Sequence, residues 1–186
     1  MNNSLDFKKY IELYQDFLHP NPNINFQAVS LLKKEFSSKF IRRLLNNLEE
    51  DDLILRRKSI LALGIFGEES FNSIVQLYFS TESNTVKISC LKTILKVIVN
   101  FNIKELDIEI MSVINIAIKD NSSEITLIVI SILRQLETQG KRILMRTCRD
   151  KNLLRAKASI SALLEINDPE VDNLLNQLLN DNSIDP

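Results

Sequence analysis

"RRKSILALGIFGEES", residues 56–70, begins as an amphipathic helix, places Gly64 inside its apolar run, and follows it at once with Gly67 and two carboxylates. A glycine within a helix costs roughly 1 kcal/mol relative to alanine, so Gly64 is expected where the backbone needs close approach. Gly67 stands where the chain leaves the helix, and a left-handed cap there is most readily made by glycine. If the stretch is one copy of a repeated packing unit, its pattern recurs at a fixed period.

It does recur. Apolar residues follow helical spacing almost throughout, strand-like alternation is missing, and polar clusters such as "HPNPN", "EEDD", "STESN", "KDNSS", "CRDKN" and "NDNSIDP" punctuate the pattern. The expected helices are 5–18, 23–36, 38–49, 53–66, 69–80, 84–100, 105–119, 123–137, 139–148, 152–166 and 169–180. In the second helix of each pair a late apolar anchor falls at Leu32, Leu63, Ile94, Leu133 and Leu163, separated by 31, 31, 39 and 30 residues. Eight residues before each anchor stand Ile24, Leu55, Val86, Ile125 and the degenerate Arg155; seven before the last four of these stand Leu48, Phe79, Ile118 and Cys148. The long interval is absorbed at "NFNIKELDI", 100–108. A two-helix unit of near-constant length reads as a helical solenoid. The expected architecture is all-α: a right-handed α-α superhelix, HEAT-like, of about five helix pairs plus a closing helix, forming one domain over 1–186.

Totals narrow the chemistry. Lys plus Arg number 23 against 24 Asp plus Glu, so net charge argues neither for nor against a polyanionic partner. The beginning of the sequence has no signal-like apolar block and no segment reaches bilayer-spanning length, so a protein that is not secreted and has no membrane span is expected. Two cysteines without a CxxC and a single His19 exclude a disulfide framework and the usual zinc sites. With three glycines in all, neither a Walker loop nor a GxGxxG fingerprint can form. Catalytic residues are not identified, and no metal is expected. The abundance of Ile, Asn and Lys is a bias common in AT-rich coding DNA.

"LRRKSILALGIFG", 55–67, resembles the HEAT-type repeat of bilin lyases, and "LRAKASISALLEINDP", 154–169, is a weaker copy that keeps Ala162, Leu163 and the terminal Asp-Pro. The chain is thereby similar to the phycobilin lyase E/F-like family and the related HEAT-repeat proteins of phycobilisome degradation. That resemblance implies a protein of a cyanobacterial cytoplasm or plastid stroma that attaches, transfers or removes a linear tetrapyrrole. Implied partners are a phycobiliprotein subunit or other protein client, together with a partner lyase subunit. A phycobilin is implied as ligand, with no covalently bound cofactor.

Counting the first aliphatic of each second helix as position 0, position 4 reads Ala28, Ser59, Cys90, Val129 and Ser159, all small and suited to a crowded helix contact. Cys90 therefore reads as a packing residue, and so does Cys148 from its place in the apolar row of the first helices. Positions 2, 6 and 9 fall on another face, and their fifteen residues include five basic, six large apolar and no acidic side chains. Phe26, Arg57, Leu61, Lys92, Leu95, Leu127, Arg134 and Lys157 are the expected groove residues. Arg57 and Arg134 are suited to grip a carboxylate bidentately, and Lys92 and Lys157 act as point charges. A linear tetrapyrrole with two propionates fits such a face. An acidic peptide or helix bound by a non-enzymatic scaffold fits as well. Nucleic acid fits less, because Phe26 is the face's one aromatic. Gly64 lies on the same face, leaving room for a ligand or neighbouring helix, and Gly64→Leu is expected to disturb binding more than folding. His19 at its proline-rich turn, and Asp51 and Asp52 at a helix start, read as structural.

Overall fold

The computed structural model describes residues 3–180, with side chains from residue 5 onward. The ends of the expected 1–186 domain, including the last six residues of the closing polar cluster, lie outside the described residues. The described chain is helical, without strands, and divides into two compact units, Met1–Asn100 and Phe101–Pro186.

The first unit holds α1 (Asn3–Leu18), α2 (Pro22–Leu48), α3 (Leu53–Phe66), a 3₁₀ turn (Gly67–Ser70), α4 (Phe71–Ser80) and α5 (Asn84–Phe101). α2 carries two of the expected helices end to end, and Phe36, with φ −136° and ψ 29°, marks the break between them. Polar residues start the helices as the turn clusters predict. Asn21 accepts from the Asn23 N–H, and Asp52 accepts from the Ile54 and Leu55 N–H groups at 2.8 and 3.0 Å. Each such cap contributes on the order of 1 kcal/mol. Gly67 ends α3 at φ 70°, a backbone region that side chains resist. Aromatic rings fill much of the first unit's core: Phe17, Phe40 and Phe66 are wholly or nearly wholly buried, with Phe40 edge-on to Phe17.

The second unit holds α6 (Ile108–Ala117), α7 (Ser123–Leu133), α8 (Thr138–Thr147), α9 (Leu153–Leu163) and α10 (Pro169–Asn180). Its core is aliphatic, with Val113, Ile114, Ile125, Val129, Ile132 and Leu144 fully enclosed. The link before α6 is irregular backbone held by the side-chain amide of Gln139, which accepts from the Leu106 N–H and donates to the Leu106 carbonyl, each at 2.9 Å. Asp107, Ser122 and Asn152 cap the three helices that follow them.

The periodic rows have physical counterparts in each unit. All five anchors from Leu32 to Leu163 are wholly buried, and every position-4 residue is buried too. Inside the first unit Asn47 donates to Ser59 Oγ at 3.0 Å, and inside the second Thr147 and Ser159 share a 2.7 Å hydrogen bond, both across twelve residues. Phe79 departs from its row: it is exposed, and Tyr78 takes the inward place. Arg155, where the other copies have an aliphatic, is also buried. Its guanidinium reaches Asp150 at 2.9 Å and the Asp120 carbonyl at 2.7 Å, so the charge is matched by acceptors from two turns.

Candidate binding surfaces

With positions 4 and 8 of a second helix turned inward, positions 2 and 6 must turn outward at 100° per residue. In the first unit Phe26, Arg57, Leu61 and Lys92 are exposed and Leu95 is half-buried; in the second Leu127, Arg134 and Lys157 are exposed. The three basic residues of the opening stretch have separate fates. Arg56 donates to the Glu50 carbonyl, and Lys58 donates to the Leu18 and His19 carbonyls at 2.6 and 2.9 Å, neutralising the C-terminal end of α1. Arg57 makes no ion pair or hydrogen bond through its side chain within the described residues and stands open to solvent. Arg134, its counterpart in the sequence reading, is engaged by the Glu165 carboxylate.

Position 9 serves largely to join neighbouring helices. Lys33 donates to the Ile65 carbonyl at 2.9 Å and lies over the Phe66 ring. Gly64 is buried, and a Cβ built on it would stand 2.5 Å from Lys96 Cγ. The room it leaves is filled by α5. The expectation that Gly64→Leu disturbs binding more than folding is therefore corrected: the position is a helix contact within the first unit.

Two concavities in the first unit lie on other helices. One of about 590 Å³ runs between the second half of α2 and α4, with Arg42 and Asn46 facing Glu69, Ser73 and Gln76. The other, about 340 Å³, lies between α1 and the same part of α2 and is lined by Tyr10, Ile11, Tyr14, Lys39, Arg42 and Arg43 together with Asn46. Lys39 Nζ is 3.8 Å from the centre of the Tyr10 ring, and the Arg43 guanidinium carbon is 5.3 Å from that of Tyr14. Arg43 Nε also donates to the Tyr14 hydroxyl at 3.2 Å, which raises the Arg43 pKa still further. Burial raises the Tyr10 pKa. The signal for this surface was present in the spacing: cations at 39, 42 and 43 share one helix face, and Tyr10 and Tyr14 are one turn apart.

Neither thiol is placed for nucleophilic chemistry. Cys90 is wholly buried and its pKa is pushed up to about 12, chiefly by burial. Cys148 is buried too, its thiol donating to the Met145 carbonyl at 3.1 Å. His19 Nδ1 accepts from the Asn21 N–H at 3.0 Å, a turn-forming contact. Among the described residues no group of three or more His, Cys, Asp or Glu side chains could hold a metal ion, and no helix is long and apolar enough to cross a membrane.

No family model matches the chain. It is 26% identical over 160 residues, covering 83% of this chain and 86% of the other, to the bilin biosynthesis protein CpeZ of Synechococcus sp. (strain WH8020). It is also 22% identical over 173 residues, covering 92% of this chain and 86% of the other, to a protein of Pseudanabaena tenuis (strain PCC 7409) named uncharacterized phycocyanin operon protein Z.

Proposed function

We propose that this chain is a bilin-handling protein acting on phycobiliproteins, in attachment, transfer or removal of the chromophore, by a lyase-like or chaperone-like route. The observation that carries the reading is the alignment with the bilin biosynthesis protein CpeZ, which takes in most of both chains. Matched length of that kind favours a shared architecture over a shared fragment. The proposed architecture is a HEAT-like α-α superhelix, supported by the 31-residue period and by the equivalent twelve-residue contacts at Asn47–Ser59 and Thr147–Ser159.

In this reading a phycobilin lies against the exposed second-helix rows. In the first unit Phe26, Leu61 and Leu95 offer apolar surface to the pyrrole rings while Arg57 and Lys92 face the propionates; in the second, Leu127 and Lys157 offer the same chemistry. Arg57 is the strongest candidate, because its open guanidinium can take a carboxylate through two parallel hydrogen bonds. Arg134 would first exchange Glu165 for the ligand. Both cysteines of the chain are buried, so the thiol that accepts or releases the pigment belongs to the client. The work left to this protein is to hold the pigment and orient it toward that thiol. A phycobiliprotein subunit is the proposed client, a partner lyase subunit a proposed collaborator, and a cyanobacterial cytoplasm or plastid stroma the proposed setting.

The test is an absorption and fluorescence titration with phycocyanobilin and phycoerythrobilin. A saturable red shift is expected, weakened in Arg57→Ala and strengthened in Glu165→Gln, which frees Arg134. Absence of any spectral change with either pigment, from protein of full helical content and in the presence of phycobiliprotein subunits, would turn the reading to a non-enzymatic scaffold binding an acidic peptide or helix.

A further inference from the structure

The concavity between α1 and the second half of α2 has two walls of different chemistry. On α1, Ile11 lines the concavity with Tyr10 and Tyr14, and Phe7 and Leu18 are exposed beyond it toward either end of the same helix face. At 100° per residue Phe7, Ile11 and Leu18 fall within about 40° of one another around the helix, beside the half-buried Tyr14. On α2, Lys39, Arg42 and Arg43 cluster within about one turn. The apolar and cationic groups are thus segregated along two neighbouring helices.

The cations are largely held in place before any ligand arrives. Lys39 lies over the Tyr10 and Phe7 rings, at 3.8 and 5.0 Å from their centres, and Arg43 lies over Tyr14. Tyr14 is itself fixed by Asn47, whose Nδ2 donates to the hydroxyl at 3.0 Å. Arg42 is exposed, with no side-chain ion pair or hydrogen bond within the described residues. No carboxylate lines the concavity. Glu12 and Glu35, on the two helices, are engaged by Lys8 and Lys9. Glu50 is the weakest of the influences acting on Arg43.

We propose that this surface seats an amphipathic helix of a partner protein, its apolar face on Phe7, Ile11 and Leu18 and an acidic edge along Lys39, Arg42 and Arg43. The apolar face extends along α1 from Phe7 to Leu18 beside a cationic edge, and an amphipathic helix uses that length where a compact ligand would not. Pre-held cations reduce the side-chain ordering that binding requires. The surface shares no residue with the second-helix rows, so it stands whether or not those rows bind pigment.

The experiment displays helical peptides of about four turns, with leucines fixed at i, i+3, i+4 and i+7 and the flanking positions varied among Glu, Gln and Lys, against the full chain. Enrichment of Glu along one edge is expected. By fluorescence anisotropy the selected peptide should lose about tenfold or more in affinity for a Lys39→Glu, Arg42→Glu variant, and again for Ile11→Gln, but not for Arg57→Ala. Circular dichroism of each variant establishes that the helices are retained. Enrichment of Lys or of no charge, or a peptide that binds the charge-reversed variant as tightly as the native chain, would overturn the proposal. Displacement of the peptide by phycocyanobilin would also overturn it, by making the surface a pigment site.

Discussion

Gly64 of α3 brings its backbone against Lys96 of α5: an added Cβ would lie 2.5 Å from Lys96 Cγ and 3.2 Å from its Cβ, and Asn100 donates to the Gly64 carbonyl at 2.9 Å. Gly64→Leu should therefore lower stability by about 1–3 kcal/mol, the usual range for overpacking. Urea denaturation checks this, and Lys96→Ala in the same chain should recover part of the loss. Equal destabilisation with and without the lysine stem would show that the contact is not the cause.

Gly140 presents a harder obstacle. A Cβ there would stand 1.9 Å from the Leu133 carbonyl oxygen, and backbone cannot swing aside as a lysine stem can. Gly140→Ala is expected to destabilise the chain more than Gly64→Ala does. Comparison of the two urea midpoints at equal m-value decides it.

Arg155 is buried with its guanidinium on Asp150 and the Asp120 carbonyl, although its Nε has no partner. Removing it by Arg155→Ala takes this donor from the Asp120 carbonyl and leaves Asp150 with the Asn152 N–H, and should cost about 1–3 kcal/mol. Arg155→Leu with Asp150→Asn restores the aliphatic of the other repeats and should recover much of that loss. Thermal denaturation of the three variants measures the order.

Acid should weaken the second unit. The Asn152 N–H, followed by Arg155, holds the Asp150 carboxyl below the usual range, and Lys141, followed by the Glu170 N–H, does the same for Asp168. A depressed carboxylate contributes stability above its unfolded pKa and loses it as pH falls through the folded value. The fall is expected below about pH 4, where unfolded carboxylates begin to protonate. Lys141, raised by Asp168 and Glu170, moves the other way and loses its contribution only at strongly alkaline pH. Thermal melts of the native chain and of Asp150→Asn with Asp168→Asn, taken down to about pH 2.5, should show a shallower acid decline in the variant.

Both thiols should resist a thiol reagent in the folded chain and react on unfolding. Burial raises each pKa, and Cys90 at about 12 carries almost no thiolate near neutrality. Rapid labelling of Cys90 in native protein would contradict its buried place.

The sequence made the second helices legible because burial within one helix depends only on its own period. That is why the anchors, the small position-4 residues and the break beside Phe36 could be read directly. Helix ends were less legible: α7 stops at Leu133 and α9 at Leu163, each three or more residues short of expectation, although apolar residues continue beyond both. Partners more than thirty residues away were not legible at all. Nothing local to Gly64 names Lys96, and nothing local to Arg134 names Glu165. The surface formed by α1 and α2 was missed although the spacing of its cations and tyrosines was visible, because its exposed groups read as ordinary solvent-facing positions until the helices are placed side by side.

The passage through Phe36 also limits how the chain can be trimmed. α2 runs from Pro22 to Leu48 with one distorted residue where other helix pairs are joined by a turn. A truncation or graft point anywhere inside it severs a helix and exposes apolar residues on both sides of the cut. The first two pairs are thus a single building block for deletion or exchange, whereas the irregular link at 102–107 offers a boundary between folded segments.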